Sequence, residues 1–403
     1  MIPLSEAQTY VLSGCAATEM VATPSAESLG LVTAEPIVSG ELVPPFDNTA
    51  VDGYAVQAAD TTSAPVDLRV IGAIAAGEAP TVPLEPGTAI RIMTGAPLPH
   101  GADAIVMVEE TATSADDTTV TINSPVGEGA AVRRAGEDMQ PDQTVFESGT
   151  MLQAGHLGVL ATLGIEHIAT HRRPVVGVIS TGDELVEGPQ ELQPGQIRDS
   201  NRRTLLSMVS QTGCTAVDLG LISDDEDAVE AALRDGADRC DAVITSGGVS
   251  MGDFDYVKMV LKRIADMRWM QIAIKPAKPM AFGRLDDTPI FGLPGNPVSS
   301  MVSFELLARP GLRTMLGVHD DAIHRPRIQA TAESALPRRP DGKTHFARVN
   351  LRWQDGRAFI RSAGGQGSHQ LSAMAGADAL AALPDGNGLE TGDLASVLLL
   401  HAD

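Results

Sequence analysis

The chain has 403 residues, 43% hydrophobic and 20% charged, with a formal net charge of −23. That is more chain than one ordinary core holds, so two to four domains are expected, and so acidic a surface repels nucleic acid. No run approaches the roughly 18 apolar residues of a membrane span, no basic-then-apolar leader opens the chain, and Cys15, Cys214 and Cys240 form no CxxC pair. The expectation is a cytoplasmic protein without structural zinc.

Charge is spread unevenly. Residues 1–150 carry 21 acids against 4 arginines, while residues 326–403 balance 8 against 8. Lysine is scarce: there are five, and two of them, Lys275 and Lys278, stand in Lys-Pro-Ala-Lys-Pro. Pro276 and Pro279 restrict the backbone between and after them, and the pair reads either as a local need for two ammonium groups or as two solvated turn residues.

In chain order, Ser5-Glu-Ala-Gln8 predicts a capping box that opens a first helix with Val11 and Leu12 inward. Residues 24–45 are proline-rich and extended. From 46 to about 150, short alternating runs such as Val66-x-Leu68-x-Val70 and Val120-x-Ile122, cut by glycine and proline turns, read as a β-rich subdomain. A helix is expected over 156–165, ended by Gly164.

After Arg173-Pro174 the pattern changes. Strands are expected at 175–179, 217–222, 242–244, 272–274, 280–282 and 289–292. Helices are expected after Asn201 (Leu205, Met208 and Val209 inward), after Asp224-Asp225 (Val229, Ala232 and Leu233), after Asp253 (Val257, Val260, Leu261 and Ile264) and from Pro297 to about Arg309-Pro310. Such alternation indicates a mostly parallel sheet with helices on both faces, which binds ligands at the carboxyl ends of its strands. Glycine turns at 180–184, 246–253 and 292–297 all fall at those ends and so should share one rim. From 326 onward short β-like runs return, with Gly364-Gly-Gln-Gly-Ser-His369 as a loop among them, and read as a small β-barrel or sandwich.

The stretch Ser246-Gly247-Gly248-Val-Ser250-Met-Gly-Asp253-Phe-Asp255 imitates a phosphate-binding loop, a strand, glycine turn and helix start whose N–H groups point at an anion. Asp253 stands where such a loop carries lysine, which suggests phosphate held through a divalent cation. Asp253 serves equally as a helix cap, whereas a cap needs no second acid at Asp255. Glu184 emerges on the same rim, with Asp183 holding its turn. Asp224 belongs either to a helix-start acid cluster or to the rim. Asn296 reads as an N-cap with Pro297 at N1, and that helix start also offers N–H groups and the hydroxyls of Ser299 and Ser300 to an anion.

With these motifs in hand the chain resembles the MoeA / gephyrin E-domain family, the molybdopterin molybdotransferases. The resemblance rests on Pro-Pro-Phe-Asp-Asn-Thr-Ala-Val-Asp52-Gly-Tyr-Ala, Arg91-Ile-Met-Thr94-Gly-Ala-Pro, Ser-Thr-Gly-Asp-Glu184-Leu, Ser-Gly-Gly-Val-Ser250-Met-Gly-Asp-x-Asp255-Tyr, Lys275-Pro-Ala-Lys278-Pro and Leu-Pro294-Gly-Asn296-Pro297. Where this chain has Ala277 the family has glycine. The resemblance implies a multidomain α/β plus β protein. Residues 1–170 would form an N-terminal and linker region with a β-rich subdomain inserted at about 46–140, residues 171–320 a central three-layer α/β/α molybdopterin-binding domain, and residues 321–403 a C-terminal β-barrel.

It further implies a homodimer with its cleft between subunits, and a Mg2+-dependent reaction. Molybdate is inserted into adenylylated molybdopterin and AMP is released. Asp52, Glu184, Asp255, Lys275 and Lys278 would be catalytic. Metal would be held by Asp255, Glu184 and Asp224, and substrate by Thr94, Asp138, Ser246, Gly247, Gly248, Ser250, Pro294, Asn296, Pro297 and Ser299. Two other readings share the central fold: a molybdopterin adenylyltransferase and a non-catalytic scaffold.

Overall fold

The computed structural model describes residues 1–248 and 256–401, and for Asp320 and Asp321 the backbone alone. The chain divides into two compact units. The first comprises Met1–Glu35, Gly149–Gln153 and His167–Asp403, and the second Pro36–Ser148 and Ala154–Glu166.

A six-stranded sheet forms the centre of the first unit, in the order Thr215–Ile222, Val175–Thr181, Ala242–Ser246, Thr288–Leu293, Pro279–Leu285, Asp266–Gln271. The first four strands run parallel, Pro279–Leu285 runs against them, and Asp266–Gln271 pairs antiparallel with Pro279–Leu285. Side chains alternate across this sheet. Ala242 and Ile244 pack with Leu205, Met208 and Val209 of helix Asn201–Thr212 on one face. Val243 packs on the other with Val229 and Leu233 of helix Glu226–Arg239 and with Val257, Val260 and Leu261 of helix Tyr256–Ile264. The continuous apolar run expected for a strand covered on both faces is therefore what the fold uses.

Residues after 326 close into a five-stranded barrel, as the C-terminal pattern predicts. Thr344–Gln354, Arg357–Ser362, Arg327–Ala332, Leu394–Leu399 and Ala379–Leu383 follow one another around it, and the last pairs back to the first. Its interior is filled mainly by small and branched residues, among them Ala330, Ala332, Val349, Ile360 and Val397. In the second unit the expected Val66-x-Leu68 and Val120-x-Ile122 runs pair antiparallel, with Val120 opposite Leu68, inside a six-stranded sheet.

Several local expectations change. The helix Leu4–Ser13 has Pro3 at its N-cap, two residues before the expected Ser5, and no side-chain cap, so the capping box does not form. Gln8 instead donates from Nε2 to the Leu306 carbonyl at 3.0 Å. That carbonyl needs a partner because Pro310, four residues on, has no N–H to give it. The helix expected to end near Arg309-Pro310 continues to Met315 through a π-helical turn at Phe304–Ala308, a widening that accommodates the proline ring. Residues 272–274 do not form a central strand. Asp266–Gln271 takes the sheet edge, and Ile274–Lys275 pairs with Thr344 and His345 in the barrel sheet.

At the base of the parallel sheet, Asp241 accepts both Arg172 terminal nitrogens, at 2.6 and 2.5 Å, and the Val175 N–H at 2.7 Å. Burial alone would raise the Asp241 pKa, but Arg172 and the Val175 N–H outweigh it and hold the carboxyl below its ordinary value. A group with a depressed folded pKa stabilises above the ordinary carboxylate range, and that contribution is lost as pH falls through the depressed value. Asp241→Asn is expected to lose about 2 kcal/mol in urea unfolding at neutral pH. The deficit against wild type should narrow in acid.

Candidate active site

The parallel strands end in register. Ser180 lies opposite Ser246 and Ser246 opposite Leu293, so the turns that follow leave the sheet side by side. Gly247 takes φ +103° and donates its N–H to the Leu293 carbonyl at 2.9 Å, while Gly248 takes φ +78°. A Cβ on Gly248 would lie 2.3 Å from that of Val257, so both conformation and space require glycine there. Ser250, Asp253 and Asp255 lie outside the described residues.

A cavity of about 580 Å³ opens on this rim. Its lining includes Thr181, Gly182 and Glu184 from the first turn, Ser246, Gly247 and Gly248 from the second, and Gly295, Asn296 and Pro297 from the third. The three strand-end turns thus meet around one space. Asp224 joins them from the end of strand Thr215–Ile222. The acid pair at 224–225 divides its work: Asp225 caps the helix by accepting the Ala228 N–H at 2.9 Å, while Asp224 faces the cavity. Asp224 also exchanges hydrogen bonds with Asp183, accepting its N–H at 3.4 Å and donating its own N–H to the Asp183 carboxylate at 3.1 Å. Asn296 holds the N-cap position but makes no capping bond through its side chain.

The donors facing this cavity include the carboxylates of Glu184 and Asp224, hard oxygen ligands of the kind Mg2+ takes one or two at a time beside phosphate. A Cβ on Gly182 would lie 2.5 Å from Glu184 Oε2, so glycine leaves the room in which that carboxylate rests. Among the described residues no three His, Cys, Asp or Glu side chains cluster as a closed metal site.

Sequence reasoning missed how this rim is held. Asn201 donates from Nδ2 to the Ser246 hydroxyl at 2.9 Å and to the Gly295 carbonyl at 2.7 Å, joining two turns. Beneath it Arg202, 3% exposed, meets three carboxylates. Its Nε bonds Asp199 at 3.0 Å, and its terminal nitrogens pair with Asp218 and Glu187. Asp199 lines the cavity and accepts the Ser180 hydroxyl at 3.2 Å. The polar run Arg198-Asp-Ser-Asn-Arg202 at a helix start was the available signal, but it reads equally well as capping.

A second cavity, of about 350 Å³, lies along the Lys-Pro-Ala-Lys-Pro segment. Lys275, Lys278 and Lys343 line it, with Ser299, Gln366, Gly367 and Ser368. Three of the chain's five lysines therefore converge here. Lys275 and Lys278 are exposed, and Lys343 pairs with Asp341 at 2.9 Å. Ala277 turns with φ +75°, the left-handed conformation for which glycine is the usual choice. Ser300, expected to face an anion beside Ser299, is buried instead at 1% exposure. Pro294 is also buried and helps shape the turn without lining either space.

The N-terminal candidates lie in the other unit. Asp52 accepts both the N–H and the hydroxyl of Thr94, at 2.7 and 2.8 Å, and these bonds, the N–H first, hold its carboxyl below the ordinary range. Asp138 is exposed and anchored through its own N–H to the Val43 carbonyl at 2.9 Å. In the same unit Arg134 is paired with Asp47 at 2.6 Å, and Arg91 donates to the Tyr54 hydroxyl at 3.0 Å.

Family models match in chain order: the MoeA N-terminal region (domain I and II) over residues 2–164, a probable molybdopterin binding domain over 177–314 and the MoeA C-terminal region (domain IV) over 329–400. A molybdopterin molybdenumtransferase of Haemophilus influenzae is 40% identical over 86% of this chain and 85% of its own length. Molybdopterin molybdenumtransferase 2 of Mycobacterium tuberculosis is 39% identical over 96% of both chains. The chain belongs to the molybdopterin molybdenumtransferase family. A molybdopterin biosynthesis protein of Pyrococcus horikoshii has the same fold from end to end, with a TM-score of 0.80 and 31% identity over the whole of both chains. The resemblance read from the motifs and the multidomain α/β plus β class are both borne out. As a member of this family the protein is a transferase of molybdenum cofactor biosynthesis. Among the described residues no helix is long and apolar enough to cross a membrane.

Arg202→Leu leaves Asp199 buried without its ionic partner. It is expected to cost about 3 kcal/mol in denaturant unfolding, well above the loss from the exposed pair at Arg239 and Asp235. An equal, small cost for Arg202→Leu and Arg239→Leu would show that Arg202 does not hold the rim.

Proposed function

We propose that the protein transfers molybdenum from molybdate to molybdopterin, taking the pterin as its adenylylated form and releasing AMP. The observation that carries this reading is the pairing of two unlike cavities. One has glycine turns and carboxylates at the carboxyl ends of parallel strands, as suits a phosphate-bearing ligand. The other has three lysines and two hydroxyls, as suits a compact oxyanion. The names of the relatives, molybdopterin molybdenumtransferase, supply the chemistry that needs both.

In this reading Ser246, Gly247, Gly248, Ser250, Asn296 and Pro297 hold the phosphate end of the substrate, and Lys275, Lys278 and Ser299 hold molybdate. Glu184 and Asp224, with Asp255, hold Mg2+. The bound ion would offset the negative charge of the phosphate linkage. No cysteine is placed to act as a covalent nucleophile, since all three are buried and burial raises the thiols of Cys15 and Cys214 to about 12. The protein works as a homodimer in which Asp52, Thr94 and Asp138 serve the cleft of the neighbouring subunit. The support for Asp52 is its presentation: exposed, ionised and oriented by Thr94 before any substrate arrives.

Purified protein with adenylylated molybdopterin, molybdate and Mg2+ is expected to release AMP and yield active cofactor. Consumption of ATP in place of AMP release would make it an adenylyltransferase instead. Lys278→Ala is expected to raise the KM for molybdate about tenfold or more while molybdopterin binds as before. Equal weakening for both substrates would remove the division of labour between the cavities.

A further inference from the structure

The two cavities share a wall, and one side chain on that wall belongs to neither of the roles above. The wall consists of the start of helix Pro297–Ser303 and the loop Gly364–Gln370 from the barrel. Along the helix, Pro297 lines the carboxylate cavity and Ser299 the lysine cavity. On the loop the same alternation occurs between consecutive residues: Ser368 lines the lysine cavity and His369 the carboxylate cavity. The Val298 N–H donates to the Ser368 carbonyl at 3.1 Å and joins the two elements at the divide.

The loop is held firmly for a glycine-rich segment. Arg348, 1% exposed, donates from Nη2 to the carbonyls of Gly365 and Gly367, at 2.6 and 3.2 Å, and its N–H bonds Gln366 Oε1 at 2.9 Å. Gln370 Oε1 accepts the Gly367 N–H at 2.6 Å. The His369 ring rests over Gly367, where a Cβ would lie 2.9 Å from Cε1 and 3.2 Å from Nδ1. An imidazole that lines one cavity therefore lies against a residue that lines the other. It is exposed, and it is the one histidine among the described residues lining either space.

Joining the contents of the two cavities calls for such a group. Molybdate carries four oxo ligands and molybdopterin a pair of thiols. Their union, MoO4(2−) plus the dithiol giving MoO3(dithiolate)(2−) plus H2O, forms two Mo–S bonds and breaks one Mo–O bond. Both thiol protons leave on the departing oxygen, charge is conserved and molybdenum stays hexavalent, so no oxidant or reductant is needed. The lysines would neutralise the oxyanion, and the carboxylates of the other cavity would be taken up with Mg2+. An imidazole has two ring nitrogens, one that accepts a proton while the other donates one, so a single side chain can serve both transfers.

We propose that His369 is a catalytic residue that takes protons from the substrate dithiol and delivers them to the departing molybdate oxygen. The proposal rests on the molybdenum-transfer reading above. The charged and titratable groups around His369 are Glu184, Asp199, Asp224, Arg198 and Tyr256 of its own cavity, with the lysines beyond the wall.

The test uses the full chain with adenylylated molybdopterin, molybdate and Mg2+, following cofactor formation and, separately, binding of the pterin substrate. His369→Asn is expected to unfold at the wild-type temperature and to bind molybdopterin within about twofold of wild type. It should form cofactor about 100-fold more slowly, with a flattened pH profile and partial rescue by added imidazole. A wild-type rate and profile in His369→Asn would overturn the proposal, as would a slowing explained wholly by weaker binding. No cofactor from the wild-type protein would instead overturn the molybdenum-transfer reading itself.

Discussion

Parallel strands that end together impose the constraint on which the active region depends. Because Ser180, Ser246 and Leu293 stand in adjacent register positions, the turns after them have to leave the sheet at one edge. Each such turn ends a buried strand and cannot leave its N–H and carbonyl groups unpaired. The molecule satisfies them between turns: Gly247 bonds the Leu293 carbonyl, Asp183 and Asp224 exchange hydrogen bonds, and Asn201 ties Ser246 to Gly295. The cavity is the space these ties keep open.

Charge is then sorted around that space. Acidic side chains dominate the chain, yet three of its few lysines face a single small cavity, reached from the strand-end cavity across one helix start and one loop. Arginines carry the structural load elsewhere. Arg202 gathers Asp199, Asp218 and Glu187 beneath the rim, Arg348 fixes the barrel loop, and Arg172 holds Asp241 at the opposite end of the sheet. A planar guanidinium suits those tasks because it satisfies several acceptors at once. The ammonium groups of Lys275 and Lys278 remain exposed.

Much of this was readable before any coordinates. Apolar runs, helical spacing and glycine turns located the strands that carry the rim, and the turns at 180–184 and 292–297 do border one cavity. The errors have definite causes. A capping box was expected at Ser5-Glu-Ala-Gln8, but Gln8 is drawn to a carbonyl some 300 residues away that Pro310 leaves without a donor. A helix stop was expected at that proline, but a π-turn absorbs the ring. Asn201, Arg202, Lys343 and His369 were passed over because their neighbours along the chain say nothing of their neighbours in space.

By itself the sequence determined the family, the α/β and barrel layout and the identity of the turns. These rest on short-range rules: side-chain periodicity, glycine's freedom at positive φ, and motifs contiguous along the chain. Only the tertiary structure decided that the rim acids and the lysines face two cavities rather than one, and that Asp224 faces inward while Asp225 caps. Only it set a histidine of the barrel loop against the wall between them. Those facts depend on where separate elements come to rest against each other, and packing between distant segments leaves no periodic signature in the chain that folds.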